Sequence, residues 1–379
     1  MIYLDYNATT PVHPEVRRKI NVYLEAEYGN PSSSHAKGKA AKAAIDEART
    51  AVASLIGASP SEIIFTGSAT ESNNLAVIGA CMAAPTDRKQ VLVSAIEHPA
   101  VLEPAHELQR RGWRLRVVPV DREGRLELDA LRLLLASDDT ALVSIMHANN
   151  ELGTVQPIEE VGRLVKQHGA LFHVDAAQAI GKIAVNVDAM QADLLTIAGH
   201  KMYAPKGIGA LYIRGGTRLQ SLMFGASQEG TLRPSTENVP YIAGIGAASK
   251  IVAGADEARA RMARLRDELQ ASLIKSIPGL TINGSQQYRL PNTLHVSLPE
   301  GSARTLIALL ANEVALSPGA ACHADSPDEP SGVMKAIGAT GQQATGAIRI
   351  SLGYDTTAEE VQTAATAIAK AYTAYRSTL

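Results

Sequence analysis

The sequence predicts an α/β protein with a mostly parallel seven-stranded sheet, joined to a smaller α+β domain. Three observations predict it. Between about residues 62 and 215, seven short β-rich runs alternate with helical patterns, the signature of a sheet covered by helices on both faces. Polar residues suited to chemistry recur where those runs end, which is where open α/β sheets hold their ligands. After residue 255 the pattern changes to long helices flanking a few separate strands.

Taken in order, "IYLDYNA" reads as an N-terminal strand that could pack on either domain. The seven runs are "EIIFTG", "QVLVSAIEH", "RLRVVPV", "TALVSIMHAN", "ALFHVDA", "DLLTIAG" and "IGALYIRG". Their near-continuous apolar character is that of strands buried on both faces. Between them "ESNNLAVIGACMAA", "LEPAHELQRRG", "ELDALRLLLAS" and "PIEEVGRLVKQHG" carry helical periodicity. A charged helix is expected from about Ala255 to Ser276 and a last one from about Thr357 to Tyr375. Strand-like "NTLHVSL" and "GAIRISLG" and helix-like "ARTLIALLAN" lie between them. The expected division is a large domain over 15–254 and a small domain from 1–14 and 255–379.

Composition excludes several classes. The 379 residues are 46 % hydrophobic and 20 % charged, ordinary for a globular chain with room for two cores. A formal charge of −2 with interspersed signs gives no electrostatic case for nucleic acid or a membrane surface. No apolar run approaches the roughly eighteen residues of a spanning helix. The start lacks the basic and apolar regions of a signal peptide, and two cysteines imply no disulfide framework. The expected location is cytoplasmic.

The strand ends carry the candidate chemistry. The apolar run Leu194 to Ala198 leads straight into Gly199, His200 and Lys201, then into a Pro/Gly-rich turn. Lysine is seldom buried unless paired. Lys201 is therefore either a surface lysine or an amine held at the mouth of the sheet. "FHVDA" ends in Asp175, either a capping carboxylate or one facing a cation, with Gln178 three residues on. "FTGSATESNN" sets Gly67 to Thr70 between a strand and a helix, as an N-cap or as a cradle for an anion. No Walker-type Gly-Lys-Ser and no dinucleotide GxGxxG after a strand is present. Pyridoxal phosphate uses all three features at once: a lysine amine, a carboxylate for its pyridinium nitrogen and a phosphate cradle.

The chain also resembles a known family. "YLDYNATTP", "EYGNPSS", "IIFTGSATESNN", "EHPAVLEP", "ANNELGTVQP", "HVDAAQAIGK", "GHKMYAPKGIGALYIRG", "RPSTENVPYIAG" and "IRISLG" are similar to blocks of cysteine desulfurases and selenocysteine lyases. These are class V members of the fold-type I pyridoxal-phosphate enzymes, and the likeness runs over nearly the whole chain. It implies that Lys201 carries the cofactor as a Schiff base and later moves the α-proton. Asp175 is implied as the partner of the pyridine nitrogen, Gln178 as donor to the ring's phenolic oxygen, and His98 as the imidazole stacked on the ring. Ala69, Thr70 and His200 match phosphate ligands. Thr236 matches a residue that reaches the phosphate of a neighbouring subunit, which implies a homodimer. Asn150 and Arg349 match the groups that hold the substrate carboxylate, and a guanidinium fork suits that task. Ala198 stands where many desulfurases have a serine, and "FGASQEG" breaks a glycine run usual at that place.

The cysteines bear on the reaction. Cys81 lies on an apolar helical face and is expected to be buried and inert. Cys322 lies in "SPGAACHADSPDEPSG", a turn-rich segment. Cys322, His323 and Asp325 are too few for a metal site, so none is expected. The resemblance implies that Cys322 takes the substrate's sulfur as a persulfide, with His323 a neighbour that could accept its proton. It further implies an amino-acid substrate, cysteine or selenocysteine, and an acceptor or scaffold protein for the sulfur. The "ACH…EPS" text leans toward the lyases, but bacterial desulfurases also vary in this segment, and cysteine desulfurase comes first with selenocysteine lyase close behind. A class V aminotransferase would have no use for the Cys322 segment, and a non-catalytic scaffold none for Lys201, Asp175 and Arg349.

Overall fold

A computed structural model describes residues 1–137, 139–319 and 330–378. Its centre is a seven-stranded sheet of β2 (Ile63–Thr66), β3 (Gln90–Ser94), β4 (Arg114–Val118), β5 (Thr140–Met146), β6 (Leu171–Asp175), β7 (Leu194–Ala198) and β8 (Gly209–Ile213). The order across the sheet is β2-β8-β7-β6-β5-β3-β4, and only β8 runs against the rest. All seven predicted runs are strands. β3, β5 and β7 are buried at every residue, as continuous Val/Ile/Leu runs require when helices cover both faces. β4 has β3 as its one neighbour in the sheet and is half exposed.

β3 pairs with β4 on one side and with β5 on the other, so the chain reverses its direction of travel across the sheet there. Such a reversal opens a crevice beyond the strand carboxyl ends.

A four-stranded sheet, ordered β12-β13-β10-β9, holds β9 (Thr281–Ile282), β10 (Thr293–Ser297), β12 (Ser317–Pro318) and β13 (Ala347–Ser351). The N-terminal strand β1 (Ile2–Tyr3) pairs in parallel with β11 (Val314–Ala315), so it joins this second unit. Leu4 lies in the core of that unit, with Leu265, Leu269 and Leu273 from helix Asp256–Ser276 and Val361 and Ile368 from helix Ala358–Arg376.

Three long helices carry no expectation from the pattern: Pro14–Glu25, Ala36–Ile56 and Val239–Ala253. They pack at close range because their contact residues are small. A Cβ on Gly246 would lie 2.6 Å from the Ala48 Cβ, so the backbones approach as only glycine permits.

Candidate active site

The carboxyl ends of β2, β3, β5, β6 and β7 open onto a cavity of about 300 Å³. That is at the small end of the roughly 300–1,000 Å³ of ligand sites.

After β7 the chain makes one turn of 3₁₀ helix, Gly199–Lys201, and Tyr203 then adopts a left-handed φ of 68°. A bulky residue there is strained, and strain of this kind concentrates at functional sites. The N-terminal segment holds the turn in place. Thr10 N donates to His200 O (2.9 Å), and Tyr203 N donates to Thr10 Oγ1 (2.9 Å). Lys201 lines the cavity, and its Nζ donates to the main-chain oxygens of Asn7 and Ala8, the latter at 2.7 Å. His200 and Ala198 share the wall. Burial, with the charge of Lys201 next, pushes His200 down to about 4, so it is neutral at pH 7.

Asp175 ends β6 at 5 % exposure. Its Oδ2 accepts from Asn73 Nδ2 (2.8 Å) and its Oδ1 from the Ala177 N–H (2.9 Å). Among the described residues no Lys, Arg or His forms an ion pair with it. The carboxylate is thus buried, oriented and short of a cation, a costly arrangement unless one arrives from the cavity.

After β2, Ser68 caps a helix whose consecutive segments are Ala69–Asn74, Leu75–Gly79 and Ala80–Ala83. Ser68 Oγ accepts from the Glu71 N–H (3.1 Å), while Ala69 and Thr70 stand in the first turn on the cavity wall. Main-chain N–H groups at a helix start lack intrahelical acceptors and favour anions. Gly209 of β8 makes room for this end: a Cβ there would lie 2.8 Å from the Ser68 carbonyl carbon and 3.0 Å from the Ala69 nitrogen. Cys81, in the same helix, is buried, and burial pushes its thiol pKa up, as expected of an inert cysteine.

His98 follows β3 as the N-cap of helix Pro99–Arg110. Its Nδ1 accepts from the Ala100 N–H (3.0 Å), leaving the proton of a neutral ring on Nε2. Burial holds its pKa below the ordinary value. The adjacent Glu97 is buried; its Oε1 accepts from Ser94 Oγ and the Met146 N–H (2.8 Å), and its Oε2 has no partner. Burial lifts this carboxyl to about 8.

Arg349 enters from β13 at 2 % exposure and lines the cavity with Asn150. It donates to Asp5 Oδ1 (2.9 Å), Ser317 Oγ (3.1 Å) and Asn150 O (3.1 Å), while its buried Nε meets no acceptor among the described residues. Gln178 completes the set; its Nε2 donates to Asn7 O (3.0 Å).

One cavity therefore brings together Ala69, Thr70, His98, Asn150, Asp175, Gln178, His200, Lys201 and Arg349. Thr236 is exposed and stands outside that wall. Cys322 and His323 lie outside the described residues. Sequence reasoning missed Asn7, Asn73 and Lys182. For Lys182 a signal existed: it stands four residues after Gln178, a spacing that puts two side chains on one face of a helical turn.

The profile of the family Aminotransferase class-V matches residues 2–363. The chain is 44 % identical over 362 residues to a "Cysteine desulfurase IscS" of Dictyoglomus turgidum, spanning 95 % of this chain and 91 % of that protein. The chain belongs to the cysteine desulfurase family of class-V aminotransferases. A cysteine desulfurase of Trichormus azollae is 45 % identical, over 95 % of this chain and 90 % of its own. Among solved structures a "NIFS-LIKE PROTEIN" superposes with a TM-score of 0.92 at 38 % identity, covering 98 % of this chain and 99 % of its own. A structure titled "SspA in complex with cysteine" matches with a TM-score of 0.81 at 34 % identity, over 93 % of this chain and 99 % of its own. The fold of this cysteine desulfurase family member is thus the α/β, fold-type I architecture expected from its sequence.

Proposed function

We propose that this protein is a pyridoxal 5'-phosphate-dependent cysteine desulfurase that converts L-cysteine to L-alanine and passes the sulfur to Cys322. The observation that carries the reading is the buried Asp175, with no ion-pair partner among the described residues, facing the same cavity as Lys201 and Arg349. That donor set fits the cofactor. Asp175 would hold its protonated ring nitrogen, Gln178 its ring oxygen and His98 the ring face. Ala69, Thr70 and His200 would hold its phosphate, with Thr236 contributed by the second subunit of a homodimer. When bound, the cofactor draws electrons from the substrate's α-carbon.

The chain's own groups do the rest. Lys201 would hold the cofactor through its Nζ and, once the substrate's amine has displaced it there, would be free to take the substrate's α-proton. Arg349 and Asn150 fix the substrate carboxylate, the guanidinium giving up part of its hold on Asp5. His98, neutral at pH 7 with its Nδ1 engaged by the Ala100 N–H, can give a proton from Nε2. Cys322, as thiolate, forms the sulfur–sulfur bond while the substrate's carbon–sulfur bond breaks, so cysteine and one thiol yield alanine and one persulfide. An acceptor or scaffold protein then removes the sulfur. We take 15–254 as the cofactor domain and 1–14 with 255–379 as the smaller one, and the location as cytoplasmic.

Alanine release from L-cysteine and L-selenocysteine, measured side by side, tests the reading. The wild type is expected to be yellow and to release alanine from cysteine. Lys201→Ala should lose both properties, whereas Lys206→Ala should keep them. Cys322→Ala should keep the colour, lose desulfuration and retain part of any selenocysteine activity. Alanine from selenocysteine alone would make it a selenocysteine lyase, and wild-type desulfuration by Cys322→Ala would remove the persulfide step.

A further inference from the structure

Lys182 is 6 % exposed. Its Nζ donates to Gln178 Oε1 (2.5 Å) and Asn7 Oδ1 (3.2 Å), and among the described residues no carboxylate pairs with it. The charged and titratable groups around it are His200, Lys201 and Tyr203 from the turn after β7, Arg349 and Tyr354 from β13 and the loop beyond, and Tyr6 from the N-terminal segment. Arg349 is paired with Asp5. Burial holds all three phenols above their ordinary value, Tyr354 at about 12, so they are neutral near pH 7. Burial first, then the charges of Lys201 and Arg349, holds the Lys182 ammonium well below the usual lysine range. An amine sequestered this way is expensive, and nothing in the fold of the sheet requires it.

Its partners show what it does. Gln178 Nε2 donates to Asn7 O (3.0 Å), an oxygen that also accepts from Lys201 Nζ. The carboxamide is therefore held from both sides, its oxygen by a donor and its nitrogen by a carbonyl. A flip would set Gln178 Oε1 against the Asn7 carbonyl oxygen. Of the two Nε2 protons, one goes to Asn7 and the other remains for the cavity. Asn7 is itself fixed, since its Nδ2 donates to Thr293 Oγ1 (2.9 Å) and Asn150 O (3.2 Å). The residual space beside Lys182 and Lys201 is about 10 Å³. That is at the lower limit for one water, so solvent could not take over the lysine's bonds.

We propose that Lys182 is a positioning residue that, through Gln178 Oε1 and Asn7 Oδ1, locks the Gln178 carboxamide with one N–H directed to the cofactor's ring oxygen. This rests on the cofactor reading above. An N–H given to the ring oxygen favours loss of the proton from the lysine-linked nitrogen. Removing Lys182 frees the amide, weakens that donation and makes the proton harder to lose.

The test is a pH titration of the visible absorbance band of the cofactor-loaded protein. Lys182→Met, similar in volume and without a donor, should raise the midpoint by about one pH unit, the worth of one such hydrogen bond. Gln178→Ala should raise it by a similar amount. In the Gln178→Ala background, Lys182→Met should add nothing, which a direct effect of the lysine's charge would not give. Should Lys182→Met not fold, Lys182→Leu, which likewise carries no donor, is read in the same way. An unmoved midpoint, or full additivity in the double variant, overturns the proposal. A wild type whose visible band survives Lys201→Ala would instead overturn the cofactor reading.

Discussion

Glu97→Gln replaces the buried carboxyl beside His98 with a carboxamide of nearly the same shape, and its effect should depend on pH. Burial lifts the Glu97 carboxyl to about 8, against the downward pull of hydrogen bonds from Ser94 and Met146, with Asp175 adding a smaller push upward. A carboxyl whose folded pKa lies above its unfolded value keeps its proton while the unfolded chain loses it. Its stabilising contribution is complete below about pH 4.5 and is lost as pH rises through about 8. The loss is about 1.4 kcal/mol per pH unit. Between pH 5.5 and 8 the wild type should therefore lose roughly 3 kcal/mol relative to the glutamine variant, which does not titrate. The amide nitrogen that takes the place of the partnerless Oε2 adds a cost that does not vary with pH. The widening of the difference, rather than its sign at one pH, is thus the test. Calorimetric melting of both proteins across this range should show their midpoints diverging by roughly 4 °C, at about 1.3 °C per kcal/mol for a chain of 379 residues. Parallel melting curves would mean that Glu97 is already ionised in the folded protein, and the reasoning would fail.

Two other perturbations probe the phosphate side of the cavity. Gly209→Ala sets a Cβ 2.8 Å from the Ser68 carbonyl carbon, so the helix start must move. Overpacking of this kind costs roughly 1–3 kcal/mol, and pyridoxal phosphate binding, followed by absorbance, should weaken about tenfold or more; unchanged affinity would show that the cradle is not there. Thr236→Ala should likewise weaken cofactor retention while leaving the mass of the proposed homodimer unchanged in light scattering. A monomer with full activity at assay concentration would refute the shared site.

What could be read in the sequence was local. Asp175 was legible as the last residue of β6 and Lys201 as the end of the short turn after β7, where the change from apolar to polar marks the edge of the buried sheet. Helix Ala36–Ile56 was not legible, because it starts at His35 rather than at a Ser or Asp cap. Its inner face is a stripe of alanines, Ala41, Ala44 and Ala48, that carries little periodic contrast. Helix Val239–Ala253 hides for the opposite reason, since it is apolar nearly all round and packs through Gly244 and Gly246. The Thr236 and Cys322 assignments came from resemblance rather than from pattern.

The site's internal wiring is of another kind, and Asn7 shows why no local pattern encodes it. Its atoms meet Gln178, Lys182 and Lys201 from the large sheet's side, and Asn292, Thr293 and Ser351 from the smaller sheet's side. A short asparagine in an N-terminal loop reads as a turn residue, and its composition gives no hint of these six partners and a seventh, the Asn150 carbonyl. Yet at 1 % exposure each unpaired amide atom would carry the full cost of desolvation, so the partners must be supplied from distant segments. The main-chain oxygen that receives Lys201 thus belongs to a residue whose side chain is anchored to the sheet bearing Arg349. The lysine implied for proton transfer and the arginine implied for carboxylate binding share one rigid reference, and a displacement of either sheet is felt at both.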